Sequence, residues 1–179
     1  VVRHGKAEAG FGGAMDPGLD ALGRAQADAV AARLAPLGPV PILSSPLARA
    51  RQTAAPLAML WNRTPAIEDA VAEIPSPPGM TLEERVVWLR NLMTGSWRAV
   101  PRDLAAWREH CIATLAAIAE DTVVFSHYIA INVAAGAAMG DDRVVVFSPD
   151  NCSVTVLETD GTNLKLIEKG AEASLTKVN

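Results

Sequence analysis

The chain predicts an α/β fold: a three-layer α/β/α sandwich with a mainly parallel sheet and helices on both faces. Three observations predict it. Short apolar runs alternate with longer stretches of helical character. Two of those runs, Val1-Val2 and Val123-Val124-Phe125, end just before a histidine, so related chemistry sits at equivalent strand ends. The chain has 179 residues, half hydrophobic and a fifth charged, the balance of an ordinary globular domain with a sizeable core.

The elements follow in order. Val1-Val2 reads as the last part of a buried strand, and a strand that short leads us to expect apolar residues and a start methionine before it. After Arg3-His4-Gly5, residues 9–18 hold four glycines and a proline, which is loop chemistry. Residues 19–37 read as a helix with Leu22, Ala25, Ala29, Ala32 and Leu34 broadly on its inner side, ended by Gly38-Pro39. Residues 40–43 read as a strand. Ser45-Pro46 then opens a helix to about residue 60, with serine as cap and proline in the first turn. A proline-rich loop, Glu73-Ile74-Pro75-Ser76-Pro77-Pro78-Gly79, leads to Thr81-Leu82-Glu83-Glu84, whose spacing is that of a capping box. Helices to about residue 93 and over 101–119 follow with no strand between them. Residues of about 79–119 therefore read as a helical insertion in one domain spanning 1–179. Residues 122–125 read as a strand, 128–139 as a helix and 143–147 as a strand. Residues 152–158 and 163–168 flank the turn signal Asp160-Gly161, and a polar tail begins near Gly170.

Composition narrows the function. A formal charge of −4 and a pI near 5.4 argue against nucleic-acid or membrane-surface partners. Cys111 and Cys152 fit neither a disulfide framework nor a zinc spacing and read as buried small hydrophobes. No apolar run is long enough to span a membrane, and a cytoplasmic location is the simplest expectation.

Ligands of open α/β sheets bind beyond the carboxyl ends of the strands. If the strands before His4 and His127 are parallel neighbours, the two imidazoles meet at one edge. Ser44-Ser45-Pro46-Leu47-Ala48-Arg49-Ala50-Arg51-Gln52-Thr53 brings arginines to a third strand end. Histidine and arginine together suit a small anion, and no carboxylate cluster suggests a metal site. His110 reads as a helix-face residue, and Arg51, two positions beyond Arg49, as a solvated arginine.

At this point the chain resembles the histidine phosphatase superfamily, which includes the cofactor-dependent phosphoglycerate mutases. Arg3-His4-Gly5 resembles its signature. Asp16-Pro17-Gly18-Leu19-Asp20-Ala21-Leu22-Gly23-Arg24-Ala25-Gln26-Ala27 is similar to its first loop-to-helix segment, and the Ser44–Thr53 stretch is similar to its second motif. Phe125-Ser126-His127 and Asn151-Cys152-Ser153-Val154 match later segments, so the likeness runs over about residues 1–158. It implies that His4 is a nucleophile that becomes phosphorylated, that Arg3, Arg49 and His127 complete the phosphate pocket, and that Glu73 is the proton donor.

The chemistry stands beside the resemblance. A neutral imidazole nitrogen can attack phosphorus if its other nitrogen is held, here by a carbonyl near Gly5. Arginine forks neutralise the phosphoryl oxygens, and His127 at a helix start adds a further positive donor if it is protonated. Ser45 and Asn151 can line the pocket, although capping and turn formation explain them as well. Lys6 adds positive charge near the pocket where many members carry an acid. Tyr128 replaces a common glycine and either narrows the site or stacks on substrate; Asn132 stands where a basic residue is frequent. Trp88, Trp97 and Trp107 of the insertion, with Phe11, are candidates for a wall around the leaving group, Trp88 and Trp107 being read as core and Trp97 left open. The expected activity is metal-independent hydrolysis of a phosphomonoester through phospho-His4, with no cofactor and a phosphorylated small molecule as substrate. The alternatives are mutase-type transfer, protein phosphohistidine phosphatase activity, and a non-catalytic module that binds a phosphorylated ligand; a homodimer is left open.

Overall fold

The computed structural model describes residues 1–8 and 16–173. Its elements are β1 (Val2–Arg3), α1 (Ala21–Leu34), β2 (Ile42–Ser44), α2 (Ala48–Trp61), β3 (Ala66–Ile67), α3 (Leu82–Met93), α4 (Arg102–Ala116), β4 (Val123–Ser126), α5 (Tyr128–Met139), β5 (Val156–Thr159) and β6 (Leu164–Glu168). One sheet has the order β1-β4-β2-β3 with every pairing parallel: Val2 stands opposite Phe125 and Ile42 opposite Val123. The other edge of β1 pairs antiparallel with residues 152–155, through the Val2–Val154 bridge and the Arg3 N–H on the Ser153 carbonyl at 3.1 Å. β5 and β6 continue as an antiparallel hairpin.

Strand alternation makes the layers. Val2, Ile42, Val123 and Phe125 project to one face, onto Val30, Ala31 and Leu34 of α1 and Ala54, Leu57 and Trp61 of α2. Leu43 and Val124 project to the other, onto Leu104, Cys111 and Leu115 of α4 and Ile129 and Val133 of α5. Helices on both faces explain why β4 reads as an unbroken apolar run: all four of its residues are buried. The sheet is mostly parallel with flanking helices, as the sequence predicted.

Several local readings are corrected. The buried stripe of α1 is Gly23, Ala27, Val30, Ala31 and Leu34, not the row through Leu22, which is 52% exposed. Alanines all round that helix leave its apolar period weak, and close packing under Gly5 selects the face instead. Residues 143–147 form no strand; they are irregular apart from one bridge, Ser96–Arg143. Asn132 holds that segment, its buried Oδ1 accepting from Val146 and Phe147 N–H at 2.8 and 3.1 Å. Residues 170–173 are not a loose tail: Gly170 is buried, and Asp150 and Ala173 N–H bond the Ala171 and Ser148 carbonyls. The Thr81–Glu84 capping box is present and opens α3. Trp97 is buried in the core with its ring 6.1 Å from Trp107, and Trp88 and Trp107 pack on the same core. Phe11 lies outside the described residues.

Candidate active site

Three parallel strands deliver the site. β1 ends at Arg3, β2 at Ser44 and β4 at Ser126, so His4, Ser45 and His127 emerge side by side at one sheet edge. The His4 N–H bonds the Ser126 carbonyl and the Ser45 N–H bonds the Phe125 carbonyl, each at 3.0 Å, which locks the three strand ends in register. The imidazoles of His4 and His127 stand 5.1 Å apart, and both are buried.

The ring of His4 is fixed at both nitrogens. Nδ1 lies 2.7 Å from the Gly5 carbonyl, an acceptor only, so Nδ1 carries the proton and Nε2 holds the lone pair. The Nε–H of Arg49 donates to that Nε2 at 3.3 Å. Gly5 allows this because of its close approach to α1: a Cβ there would sit 2.6 Å from the Gly23 carbonyl oxygen. The Gly5 N–H donates to Thr53 Oγ1 at 3.0 Å, and Thr53 donates to the Arg49 carbonyl at 2.6 Å. Asn151 Nδ2 donates to the His4 carbonyl at 2.9 Å.

The cations are placed by separate devices. Arg49 comes from the first turn of α2. Asp16 caps that helix end from a distant loop, accepting from the Ala48 N–H at 2.9 Å and lying 3.7 Å from the Arg49 guanidinium. The cap read at Ser45 is therefore Asp16's role. Ser45 Oγ accepts from Leu47 N–H at 3.2 Å and stands 2.7 Å from Nε2 of His127. Arg3 donates to the Pro149 carbonyl at 2.7 Å and lies over the ring of Tyr128, 5.0 Å from its centroid. Tyr128 thus backs Arg3, with its hydroxyl 3.1 Å from Ser148 Oγ. Arg3 Nε and His127 Nδ1 are buried without hydrogen-bond partners among the described residues.

Glu73 reaches the same edge from the loop after β3. Its Oε1 accepts from Ile74 N–H and from Ile129 N–H in the first turn of α5, both at 3.1 Å. Burial raises its pKa, opposed by those two N–H bonds and by Arg49 and Arg3. His4 is pushed down to about 3, chiefly by burial and then by Arg49 and Arg3, against the Gly5 hydrogen bond. His127 is pushed down to about 2 by burial, Arg49, His4 and Arg3. Both shifts favour the neutral form of the imidazole.

Arg3, His4, Gly5, Ser45, Arg49, Glu73, His127 and Tyr128 gather at this edge. Lys6 does not: its half-exposed ammonium lies 3.2 Å from Asp20, the N-cap of α1, and that pairing draws it off the histidines. Arg51 and His110 are exposed. Sequence reasoning missed Asp16 and Thr53. Thr53 had a signal, since it lies one helical turn beyond Arg49. Asp16 had none of local origin, because its partners are more than thirty residues away.

Comparison with known proteins shows the family and the fold. The model of the histidine phosphatase superfamily (branch 1) matches residues 1–171. An uncharacterized protein of Mycobacterium tuberculosis, Rv0525, is 37% identical over 121 residues, 59% of each chain. The chain spans less than two thirds of the length of the curated relatives it matches, and only 14% of a PE-PGRS family protein of the same organism. Among solved structures, a mycobacterial glucosyl-3-phosphoglycerate phosphatase complexed with VO3 superposes with a TM-score of 0.71 at 24% identity, over 96% of this chain and 97% of that one. A phosphoserine phosphatase of Entamoeba histolytica in complex with 3-phosphoglyceric acid superposes at 0.70 and 22% identity, over 95% and 94%. These likenesses establish the shared fold, and the family match over nearly the whole chain establishes descent: this chain belongs to the histidine phosphatase superfamily, branch 1.

Proposed function

We propose that this chain hydrolyses small phosphomonoesters, without a metal, through a phosphohistidine at His4. The observation that carries the reading is the two-sided fixation of the His4 ring, which leaves the Nε2 lone pair beside the Arg49 guanidinium. In the first step that lone pair attacks phosphorus in line with the ester oxygen, the P–N bond forms and the P–O bond breaks. Arg3 and Arg49 offset the charge on the equatorial oxygens. The unpartnered Arg3 Nε and His127 Nδ1 support this reading, since each leaves hydrogen-bonding capacity unused in a buried place, at a cost of about 1–3 kcal/mol.

Glu73 gives its proton to the departing alkoxide. Its raised pKa favours the acid form that this step needs. In the second step the Glu73 carboxylate takes a proton from water, the oxygen attacks phosphorus, and the P–N bond breaks. His4 recovers its lone pair and phosphate leaves. Phosphorylated small molecules are the substrate class of the similar solved phosphatases, a glucosyl-3-phosphoglycerate phosphatase and a phosphoserine phosphatase among them.

The test is turnover of an aryl phosphate with a chelator present. Wild type is expected to turn over, and His4→Ala to lose about a thousandfold or more. Full activity in His4→Ala, or activity abolished by the chelator, would overturn the reading.

A further inference from the structure

We propose that Tyr128 is a positioning residue, which holds the Arg3 guanidinium ready for a phosphoryl group in a frame fixed by Asn132; this rests on the phosphatase reading above. Among the described residues Arg3 enters no salt bridge. Two other contacts hold its guanidinium. Nη1 donates to the Pro149 carbonyl at 2.7 Å, and the cation lies over the Tyr128 ring, 5.0 Å from its centroid. A ring face attracts a guanidinium without occupying any of its N–H donors. The Nε–H is buried and has no partner among the described residues. Arg3 is thus held by its face and one edge, with donors left for an anion.

Both contacts come from one frame. Tyr128 opens α5 directly after His127, and Arg3 directly precedes His4; the two histidine rings stand 5.1 Å apart. The Tyr128 hydroxyl lies 3.1 Å from Ser148 Oγ, so the far end of the ring is tied to the residue before Pro149. Asn132, one helical turn on and fully buried, joins the two segments. Its Nδ2 donates to the Tyr128 carbonyl at 2.9 Å, and its Oδ1 accepts from the Val146 and Phe147 N–H groups. The backbone bearing the ring and the backbone leading to Pro149 are therefore fixed to each other. The Arg3 backbone is fixed too: its N–H bonds the Ser153 carbonyl and its carbonyl accepts from the Cys152 N–H, both at 3.1 Å. A free arginine loses much rotamer freedom when it binds an anion, and one ordered beforehand loses less. The ring supplies that order at Arg3.

The probe is inorganic phosphate, whose dissociation constant is measured by calorimetry on wild type and variants, so the result does not depend on turnover. Tyr128→Phe keeps the ring and serves as the reference. Trifluorophenylalanine at the same position keeps the shape but strips negative charge from the ring face. It is expected to bind phosphate about 3- to 10-fold more weakly than Tyr128→Phe, and Tyr128→Leu about 3- to 30-fold more weakly, the range of a cation–π contact. With Arg3→Gln added, the changes at position 128 are expected to leave phosphate affinity where it is, because the two residues act as one unit. A ring that only stabilises the fold would lower the melting temperature and leave phosphate affinity alone. Equal affinity in the phenylalanine and trifluorophenylalanine proteins, or equal losses with and without Arg3, would overturn the proposal. Phosphate binding that follows the ring as expected, in a wild type that hydrolyses no phosphomonoester, would overturn the phosphatase reading and leave the role of Tyr128 standing.

Discussion

The Arg49 Nε–H meets Nε2 of His4 across 3.3 Å, on the ring nitrogen opposite the one held by Gly5. One guanidinium therefore marks where the lone pair is and stands ready to bind the oxygens of a group arriving there. Arg49→Lys keeps a charge and loses the planar fork. Its kcat/KM on an aryl phosphate is expected to fall about a hundredfold or more. A fall under about threefold would show that charge alone suffices.

Thr53 ties the turn of the proposed nucleophile to α2. It is fully buried and bridges the Gly5 N–H to the Arg49 carbonyl. Thr53→Val keeps the shape and leaves the Gly5 N–H unpaired, so a loss of about 1–3 kcal/mol is expected in denaturant unfolding, with reduced kcat. Thr53→Ser, which keeps the hydroxyl, is expected to cost less. A loss in Thr53→Ser with none in Thr53→Val would assign the effect to the methyl group.

Glu73→Gln separates proton donation from structure, because glutamine still offers an oxygen to the Ile129 N–H. An alkyl phosphate, whose leaving oxygen needs a proton, is expected to lose about a hundredfold or more in kcat. A nitrophenyl phosphate, whose leaving group departs as a stable anion, is expected to lose far less. Equal losses on both esters would remove Glu73 from the acid role.

The histidines also predict a pH dependence of stability. An unfolded histidine titrates near 6.5, whereas His4 and His127 are depressed to about 3 and about 2. As pH falls below 6.5 the unfolded chain takes up protons that the folded chain refuses. The stability contributed by the neutral rings is present above that value and is lost on the way down. The slope approaches about 2.7 kcal/mol per pH unit for two protons. Glu73 acts in the opposite sense: its raised pKa contributes stability below 4.5 that is lost as pH rises through its folded value, so it offsets part of the slope. Urea unfolding at about pH 6.5 and about pH 5 checks this, and a midpoint that does not move would contradict it.

The parts legible in the sequence are those with a local cause. β4 shows as an apolar run because both faces are covered, and α3 shows its capping box in four consecutive residues. His4, Ser45 and His127 are legible as strand-end residues because parallel strands finish together. The illegible parts depend on contacts between distant segments. The inner face of α1 is chosen by the tight approach of Gly5 to Gly23, not by apolar periodicity. Residues 143–147 carry strand-forming valines, yet Asn132 takes the Val146 and Phe147 N–H groups, the Gly95 carbonyl takes that of Val144, and among the described residues no strand pairs with them. Lys6 sits next to the Arg3-His4-Gly5 turn in sequence and pairs with Asp20, a partner that only the fold supplies.

The central claim is a covalent bond between phosphorus and Nε2 of His4. The most direct measurement is to mix wild type with a radiolabelled phosphomonoester, quench within milliseconds in alkali and map the label to a peptide. The account predicts a burst of label, stable to alkali and lost in acid, on the peptide that contains His4, and no label in His4→Ala. Steady turnover with no label on that peptide, or label on His127 in its place, would contradict it.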